Sequence, residues 1–114
     1  MTRAPLAAVA LAVVALAGCA PTPPAAAGGT VTVTAALRDG RADPPPRRVD
    51  VRAGDTVALT VDTDAPVEIH VHGFDVRGDA APGRPARITF VADRPGLVDV
   101  EAHPDTLLLQ LAVR

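Results

Sequence analysis

Apolar and polar residues alternate with a period of two along most of the chain after residue 29. In residues 30–37, for example, Val31, Val33 and Leu37 are interleaved with threonines and alanine. This period is typical of a half-buried β-strand, because successive side chains of a strand point to opposite faces. The predicted strands are residues 30–37, 48–52, 56–62, 86–92, 97–102 and 106–113, with one more inside residues 67–75.

Turn-forming residues separate these strands. Residues 38–46 contain Asp39-Gly40 and three consecutive prolines, and residues 93–96 end in Pro95-Gly96. Residues 75–85 are mostly glycine, proline and alanine, so they are predicted to form the longest loop of the domain. No segment after residue 29 has helical periodicity. Short strands separated by turns predict an all-β sandwich or barrel with a thin aliphatic core.

The N-terminal segment follows another pattern. A short positive start is followed by an uninterrupted apolar run over residues 6–17, shorter than the about 20 residues that a membrane-spanning helix needs. Residues 16–19 read LAGC, and the whole segment resembles a bacterial lipoprotein signal peptide ending in a lipobox. The resemblance implies that Cys19 receives a diacylglycerol and begins the mature chain. An ordinary secretory signal or an uncleaved anchor is the alternative.

The chain therefore divides into three predicted parts. These are a signal peptide (residues 1–18), a lipidated cysteine with a Pro/Ala/Gly-rich tether (residues 19–29) and one small domain (residues 30–114). Proline keeps such a tether extended, and its paired glycines loosen its end.

Composition excludes several functions. The chain has 114 residues, a formal net charge of -2 and no tryptophan or tyrosine, which argues against nucleic-acid binding through basic patches and stacking rings. Serine is absent, so there is no serine nucleophile, and no other residue pattern indicates an enzyme. Cys19 is the only cysteine, so an intramolecular disulfide is impossible.

The candidate chemistry lies in residues 67–75, which read VEIHVHGFD. Alternation places Glu68, His70 and His72 on one face of the predicted strand and aliphatic residues on the other. The aliphatic face is expected to be the core face, because burying Glu68 without a partner would be costly. The two histidines are therefore expected to face outward, unless a bulge beside Gly73 redirects His72.

The order VRAGDTVALTVD, VEIHVHGFD, ARITFVADRPGLVDVEAH and LLLQLAV resembles the cupredoxin family over residues 30–114. The resemblance implies a Greek-key β-sandwich or barrel of about seven to eight strands. It also implies that His72 lies nearest the place of the first copper-ligating histidine, and that Ala102 occupies the place of the ligating cysteine. His103 and Leu107 would then stand in the following ligand loop.

A type 1 copper centre needs a cysteine thiolate and usually has a weak axial methionine. This chain offers neither in the domain, because Cys19 and Met1 are its only cysteine and methionine. The sequence therefore predicts a cupredoxin-like domain without type 1 copper.

A metal site without thiolate is still open. In the cupredoxin arrangement the two strands that carry His70 and Glu101 are neighbours and would end at the same pole. Imidazole and carboxylate suit copper and zinc, so the candidate metal ligands are His70, His72, His103 and Glu101. The alternative is a solvated sheet face with imidazole–carboxylate pairs worth less than about 1 kcal/mol each.

We therefore expect an extracytoplasmic lipoprotein, held at the cell membrane by its N-terminal lipid. Its domain is expected to act as a binding or accessory module for another component of the cell envelope, with no cofactor that the sequence demands. The alternative function is a non-blue copper- or zinc-binding protein that uses the histidines named above.

Overall fold

The computed structural model describes Met1, Ala4, Gly18, Cys19 and residues 28–114. Most of the predicted signal peptide and tether lies outside the described residues, so the first two parts of the predicted division stay predictions. In the part of the chain that is described, no helix is long and apolar enough to cross a membrane.

The domain consists of nine β-strands in two sheets, which confirms the predicted all-β sandwich. The first sheet has the order β2-β1-β4-β7 and the second the order β3-β9-β8-β5-β6. The strands are β1 (Thr30–Arg38), β2 (Arg41–Ala42), β3 (Arg48–Val51), β4 (Thr56–Thr63), β5 (Val67–Val71), β6 (Val76–Ala80), β7 (Ala86–Val91), β8 (Gly96–Ala102) and β9 (Thr106–Val113).

The core between the sheets is aliphatic, as the alternation predicts. In β4 the inward side chains of Val57, Leu59 and Val61 are at most 2% exposed, whereas Ala58 and Thr60 between them are partly exposed. In β9 the pairing with β8 shifts register, so that one residue more lies on β9 than on β8. The extra residue is Leu108, and this bulge allows both Leu108 and Leu109 to be fully buried.

The prediction of a long loop over residues 75–85 was wrong. Val76–Ala80 forms β6, which pairs antiparallel with β5 from Val71↔Val76 to Val67↔Ala80. Gly78 in this strand lies against Ile88 of β7: a Cβ at Gly78 would lie 2.9 Å from Ile88 Cγ1. The glycine that suggested a loop is therefore the residue that lets β6 approach the other sheet.

The N-terminal end of the domain is fastened to the β3–β4 turn. Asp55 is only 8% exposed, and its two carboxylate oxygens accept hydrogen bonds from the backbone N–H groups of Gly29 (3.0 Å) and Arg52 (3.1 Å). The N–H of Thr56 donates to the Gly29 carbonyl at 2.8 Å. A Cβ at Gly28 would come within 2.1 Å of the Gly54 carbonyl oxygen, so the close approach requires glycine.

An ion pair links the far ends of β1 and β4. Arg38 Nη2 donates to Asp62 Oδ2 at 2.5 Å. The hydrogen bond from Arg38 holds the pKa of Asp62 below its ordinary value of 3.8, and the same bond raises the pKa of Arg38. Both side chains are more than 40% exposed, so solvent weakens the pair.

Replacing Asp62 with asparagine is expected to remove a small, pH-dependent part of the stability. Because folding lowers the pKa of Asp62, its carboxylate stabilises the native state above the ordinary value of 3.8, and this contribution is lost as pH falls through the lower folded pKa. Urea unfolding of both proteins should show a difference at neutral pH that shrinks in acid. A difference independent of pH would contradict the assignment.

Candidate functional site

The residues singled out in the sequence lie on the outer face of the second sheet. The strands β5 and β8 are neighbours, as predicted, with the register Ile69↔Ala102, His70↔Glu101 and Val71↔Val100. The aliphatic partners in this register are fully buried, whereas His70 and Glu101 are partly exposed on the opposite face. We call this surface the histidine face; it comprises Glu68, His70, His72, Arg77, Asp99 and Glu101.

Two imidazoles form the centre of the histidine face. The ring centroids of His70 and His72 are 4.4 Å apart, and the rings are tilted by 53°. His72 Nε2 lies 2.9 Å from Glu101 Oε2, and His70 Nε2 lies 3.8 Å from Asp75 Oδ1. Each imidazole therefore has its own carboxylate neighbour while the two rings touch each other.

The remaining polar groups of the face are paired as well. Arg77 Nη1 donates to Glu68 Oε1 at 2.8 Å, and Gln110 Nε2 donates to Asp99 Oδ1 at 2.8 Å. In the described part of the chain, no buried side-chain nitrogen or oxygen lacks a hydrogen-bond partner. This pairing agrees with the interpretation of a solvated sheet face. A ligand at this face would have to replace the contacts of His70 and His72 with their carboxylates.

A tight turn holds His72 and Asp75 at the end of β5. Residues 72–75 connect β5 to β6, with positive φ angles at Gly73 (83°) and Asp75 (51°). Phe74 packs against Phe90 of β7 with ring centroids 5.1 Å apart, and Arg94 Cζ lies 4.7 Å from the centroid of the Phe74 ring. The inward packing of Phe74 therefore fixes the turn.

The contact between His70 and Asp75 was not predicted from the sequence, because Asp75 was assigned to the start of the predicted long loop. A glycine two residues before it, in HGFD, was the available signal for a tight hairpin turn. Arg77, the partner of Glu68, was missed for the same reason.

His103 lies at the other end of the histidine face. Its N–H donates to the Glu68 carbonyl at 2.8 Å, whereas the N–H of His72 donates to the Asp99 carbonyl at 2.9 Å. Glu68 and His72 are four residues apart along the chain, which corresponds to about 13 Å in extended backbone. The expectation that both strands end at the same pole was wrong, because β5 and β8 are antiparallel.

The structure consequently brings together three of the four predicted metal ligands, His70, His72 and Glu101, and leaves His103 apart. Over residues 28–114 and the few described before them, no group of three or more His, Cys, Asp or Glu residues is arranged to hold a metal ion. Metal binding at this face stays a prediction.

The donor set does not fit type 1 copper. Ala102, to which the resemblance assigned the place of the ligating cysteine, is fully buried and pairs with Ile69, and the domain contains no cysteine or methionine. His72 pairs with Asp99, three residues before Ala102, so these two positions are separated along the sheet by about 10 Å. The role that the resemblance implies for His72 stays a prediction.

An open groove of about 700 Å³ adjoins the histidine face at the end where Glu68 lies. It is lined by Pro66, Val67, Glu68, Asp79, Ala80, Ala81, Arg84 and Pro85. Because Glu68 belongs to both, the face and the groove form one continuous surface with charges of both signs.

No protein family and no curated protein matches the chain in sequence. Solved structures do match in fold. A copper-binding protein solved by NMR in its apo form has a TM-score of 0.61 and 12% identity, with 76% of this chain and 90% of that protein covered. A subunit of a heme-copper terminal oxidase dimer has a TM-score of 0.59 and 17% identity, with 71% and 63% covered.

A third similar structure is the copper nitrite reductase from Nitrosomonas europaea, with a TM-score of 0.55 and 22% identity. The alignment covers 74% of this chain but only 41% of the reductase, so the chain spans part of that enzyme's length. At these identities the likeness shows the fold alone. Residues 30–114 thus form a cupredoxin-like domain, as the order of the sequence motifs predicts.

Proposed function

We propose that the chain is a lipoprotein of the cell envelope whose cupredoxin-like domain binds another envelope component and carries no type 1 copper. The observation that supports the absence of type 1 copper is the donor set: the domain has no cysteine or methionine, and Ala102, to which the resemblance assigned the place of the ligating cysteine, is fully buried. Electron transfer through a blue copper centre therefore does not suit this chain. No catalytic activity is part of the proposal.

The binding surface of this proposal is the histidine face together with the adjoining groove. Paired charges and two imidazoles on a sheet offer hydrogen-bond donors and acceptors to a polar partner, and the groove adds a concave feature. The outer face of the first sheet differs from the histidine face. Its β1 and β4 residues are mostly threonine and alanine, among them Thr32, Ala58 and Thr60.

The LAGC motif supports the lipid anchor, and mass spectrometry of the chain purified from membranes tests it. The expected product begins at Cys19 and carries a diacylglycerol, and Cys19→Ser is expected to release the protein from the membrane fraction. An unmodified Cys19, or a mature chain that begins elsewhere, would remove the anchor from the proposal.

Crosslinking in intact envelopes tests the binding surface. The double variant His70→Ala/Glu101→Ala is expected to lose crosslinked products that the natural chain forms. The matched control is Thr32→Ala/Thr60→Ala, which changes exposed or partly exposed positions on the other sheet and is expected to keep those products. Equal crosslinking by both double variants would contradict the assignment of the histidine face.

The contact between His70 and His72 favours a second candidate function, which is binding of copper or zinc without a thiolate. Two imidazoles whose centroids are 4.4 Å apart, with Glu101 2.9 Å from one of them, supply nitrogen and oxygen donors that suit Cu(II) and Zn(II). These three side chains are not arranged as a metal site in the described residues, so His70, His72 and Glu101 would have to reorient to hold an ion between β5 and β8.

Titration with Cu(II) and Zn(II) distinguishes this candidate from the first. His70→Ala and His72→Ala are each expected to weaken binding at least about tenfold, because each removes one imidazole donor. His103→Ala is the matched control and is expected to bind like the natural chain, because His103 lies at the far end of the face. Equal affinities for all four proteins, or no uptake at all, would remove this candidate.

A further inference from the structure

Three segments meet at one end of the sandwich, which we call the tether pole: residues 28–29, 52–55 and 92–96. Gly29 is bound to Asp55, the N–H of Gly54 donates to the Ala92 carbonyl at 2.8 Å, and the N–H of Ala92 donates to the Asp55 carbonyl at 2.8 Å. The chain that leads back to Cys19 therefore leaves the domain at this pole.

The exposed large aliphatic side chains of the domain are found beside the same pole. Across residues 28–114 only Val91 (51% exposed) and Leu97 (53% exposed) are large hydrophobic residues with such exposure. Val91 pairs with Thr56 at the end of β7, and Leu97 pairs with Ala112 at the start of β8. Val91 ends β7 on the outer face of the first sheet, and Leu97 lies near the start of β8 on the outer face of the second. Both therefore adjoin the loop of residues 92–96, one on each side of the rim of this pole.

Arginines accompany these aliphatic residues. Arg52 and Arg94 are exposed at the pole, and Arg94 forms an ion pair of 3.6 Å with Asp93 in which both side chains are more than 60% exposed. A second exposed pair, Arg114 with Asp50, also measures 3.6 Å. Such pairs are weak, so the guanidinium groups remain able to contact phosphate oxygens, while the two aspartates keep the pole from being strongly basic.

From these observations we infer that the tether pole rests on the surface of the phospholipid bilayer, with Val91 and Leu97 in the headgroup region. This inference depends on the proposed lipid anchor for its setting. Eight residues, 20–27, lie between Cys19 and Gly28, so an anchored chain holds the pole within about 30 Å of the bilayer. A short flexible linker gives an effective concentration in the millimolar range, at which a contact by two aliphatic side chains and two arginines suffices.

The alternative orientation, with the tether pole away from the bilayer, would require the tether to run back along the whole domain. The strand β1 alone has 9 residues, which corresponds to about 30 Å of extended backbone and uses the full reach of the tether. The tether length therefore favours a domain that stands on this pole, with its opposite end away from the lipid.

A single tryptophan tests the inference, because the chain contains no tryptophan or tyrosine. The chain beginning at Cys19 is coupled through that thiol to a maleimide lipid in vesicles of phosphatidylcholine and phosphatidylglycerol that contain a brominated lipid. Leu97→Trp reports on the tether pole, and Ala65→Trp, on the exposed turn between β4 and β5, reports on the opposite end. Quenching by the brominated lipid is expected to be at least about twofold greater at position 97 than at position 65.

Adding Val91→Asp to the Leu97→Trp chain is expected to reduce this quenching, because a carboxylate replaces the second aliphatic contact. Equal quenching at both positions, or none at position 97 in a chain whose coupling is verified by mass, would overturn the inference. Because the anchor in this experiment is synthetic, its outcome is independent of whether the cell lipidates Cys19. Phosphatidylcholine alone serves as the comparison that separates apolar from electrostatic docking: retained quenching supports the aliphatic contact, and reduced quenching supports the contribution of the arginines.

Discussion

Replacing Asp55 with alanine is expected to lower the free energy of unfolding by about 3 kcal/mol. The carboxylate is 8% exposed and accepts charge-assisted hydrogen bonds from the backbone of Gly29 and Arg52, so its removal leaves two donors without their partner. It also releases the end of the tether from the β3–β4 turn. Urea denaturation monitored by circular dichroism measures the change.

Asp55→Asn is the informative control. Its amide retains one acceptor oxygen, so we expect a loss of about half that of the alanine variant. Asp62→Ala provides a second comparison, because it removes an exposed carboxylate and is expected to destabilise the domain much less than Asp55→Ala. If Asp55→Ala were no more destabilising than Asp62→Ala, the two hydrogen bonds would not contribute as the geometry indicates.

Replacing Gly78 with alanine is expected to cost about 1–3 kcal/mol, although alanine is a small residue. The new Cβ would lie 2.9 Å from Ile88 Cγ1 and 3.0 Å from Ile88 Cδ1, so β6 or the Ile88 side chain must move. Thermal or urea unfolding gives the change in stability, and proteolysis within the β5–β6 hairpin gives a local measure.

A double-mutant cycle with Ile88→Ala identifies the cause. If the cost of Gly78→Ala comes from overlap with Ile88, the two substitutions together should destabilise less than the sum of each alone. Gly29→Ala is a matched control, since its Cβ meets Asp55 Oδ1 only at 3.9 Å and is expected to change stability by about 0.5 kcal/mol or less. Strict additivity in the cycle would show that the overlap does not explain the loss.

The strands with strict alternation could be predicted from the sequence, because burial of one face imposes a period of two. In β4, for instance, the buried face consists of Val57, Leu59 and Val61, as the alternation in the sequence predicts. Strand β6 could not be predicted in this way. Its sequence, VRGDA, has little of the β-branched or aromatic character of a strand. It forms a strand because it pairs with β5 and packs against Ile88 through Gly78.

For the candidate site, too, the sequence predicts which strand face a residue occupies but not which residues meet across strands. The alternation correctly placed His70 and Glu101 on the outer face, since this depends only on which residues of a strand are apolar. The separation of His103 from His72 depends on the relative direction and register of β5 and β8, whose paired residues are about 30 positions apart in the chain. Local periodicity carries no information about that register, and a resemblance in motif order did not supply it either.

The parallel pairing of β1 with β4 determines how the domain would bear a pulling force. Eight residue pairs, from Thr30↔Thr56 to Leu37↔Thr63, join these strands in register, and the tether continues directly from the start of β1. Tension between the tether and a partner held at the opposite end would act along β1 and load these hydrogen bonds in shear, all at once, rather than peel them apart one by one. Strand β1 thus has the geometry of a mechanical clamp, which would keep the domain folded if the proposed anchor and the proposed partner moved apart.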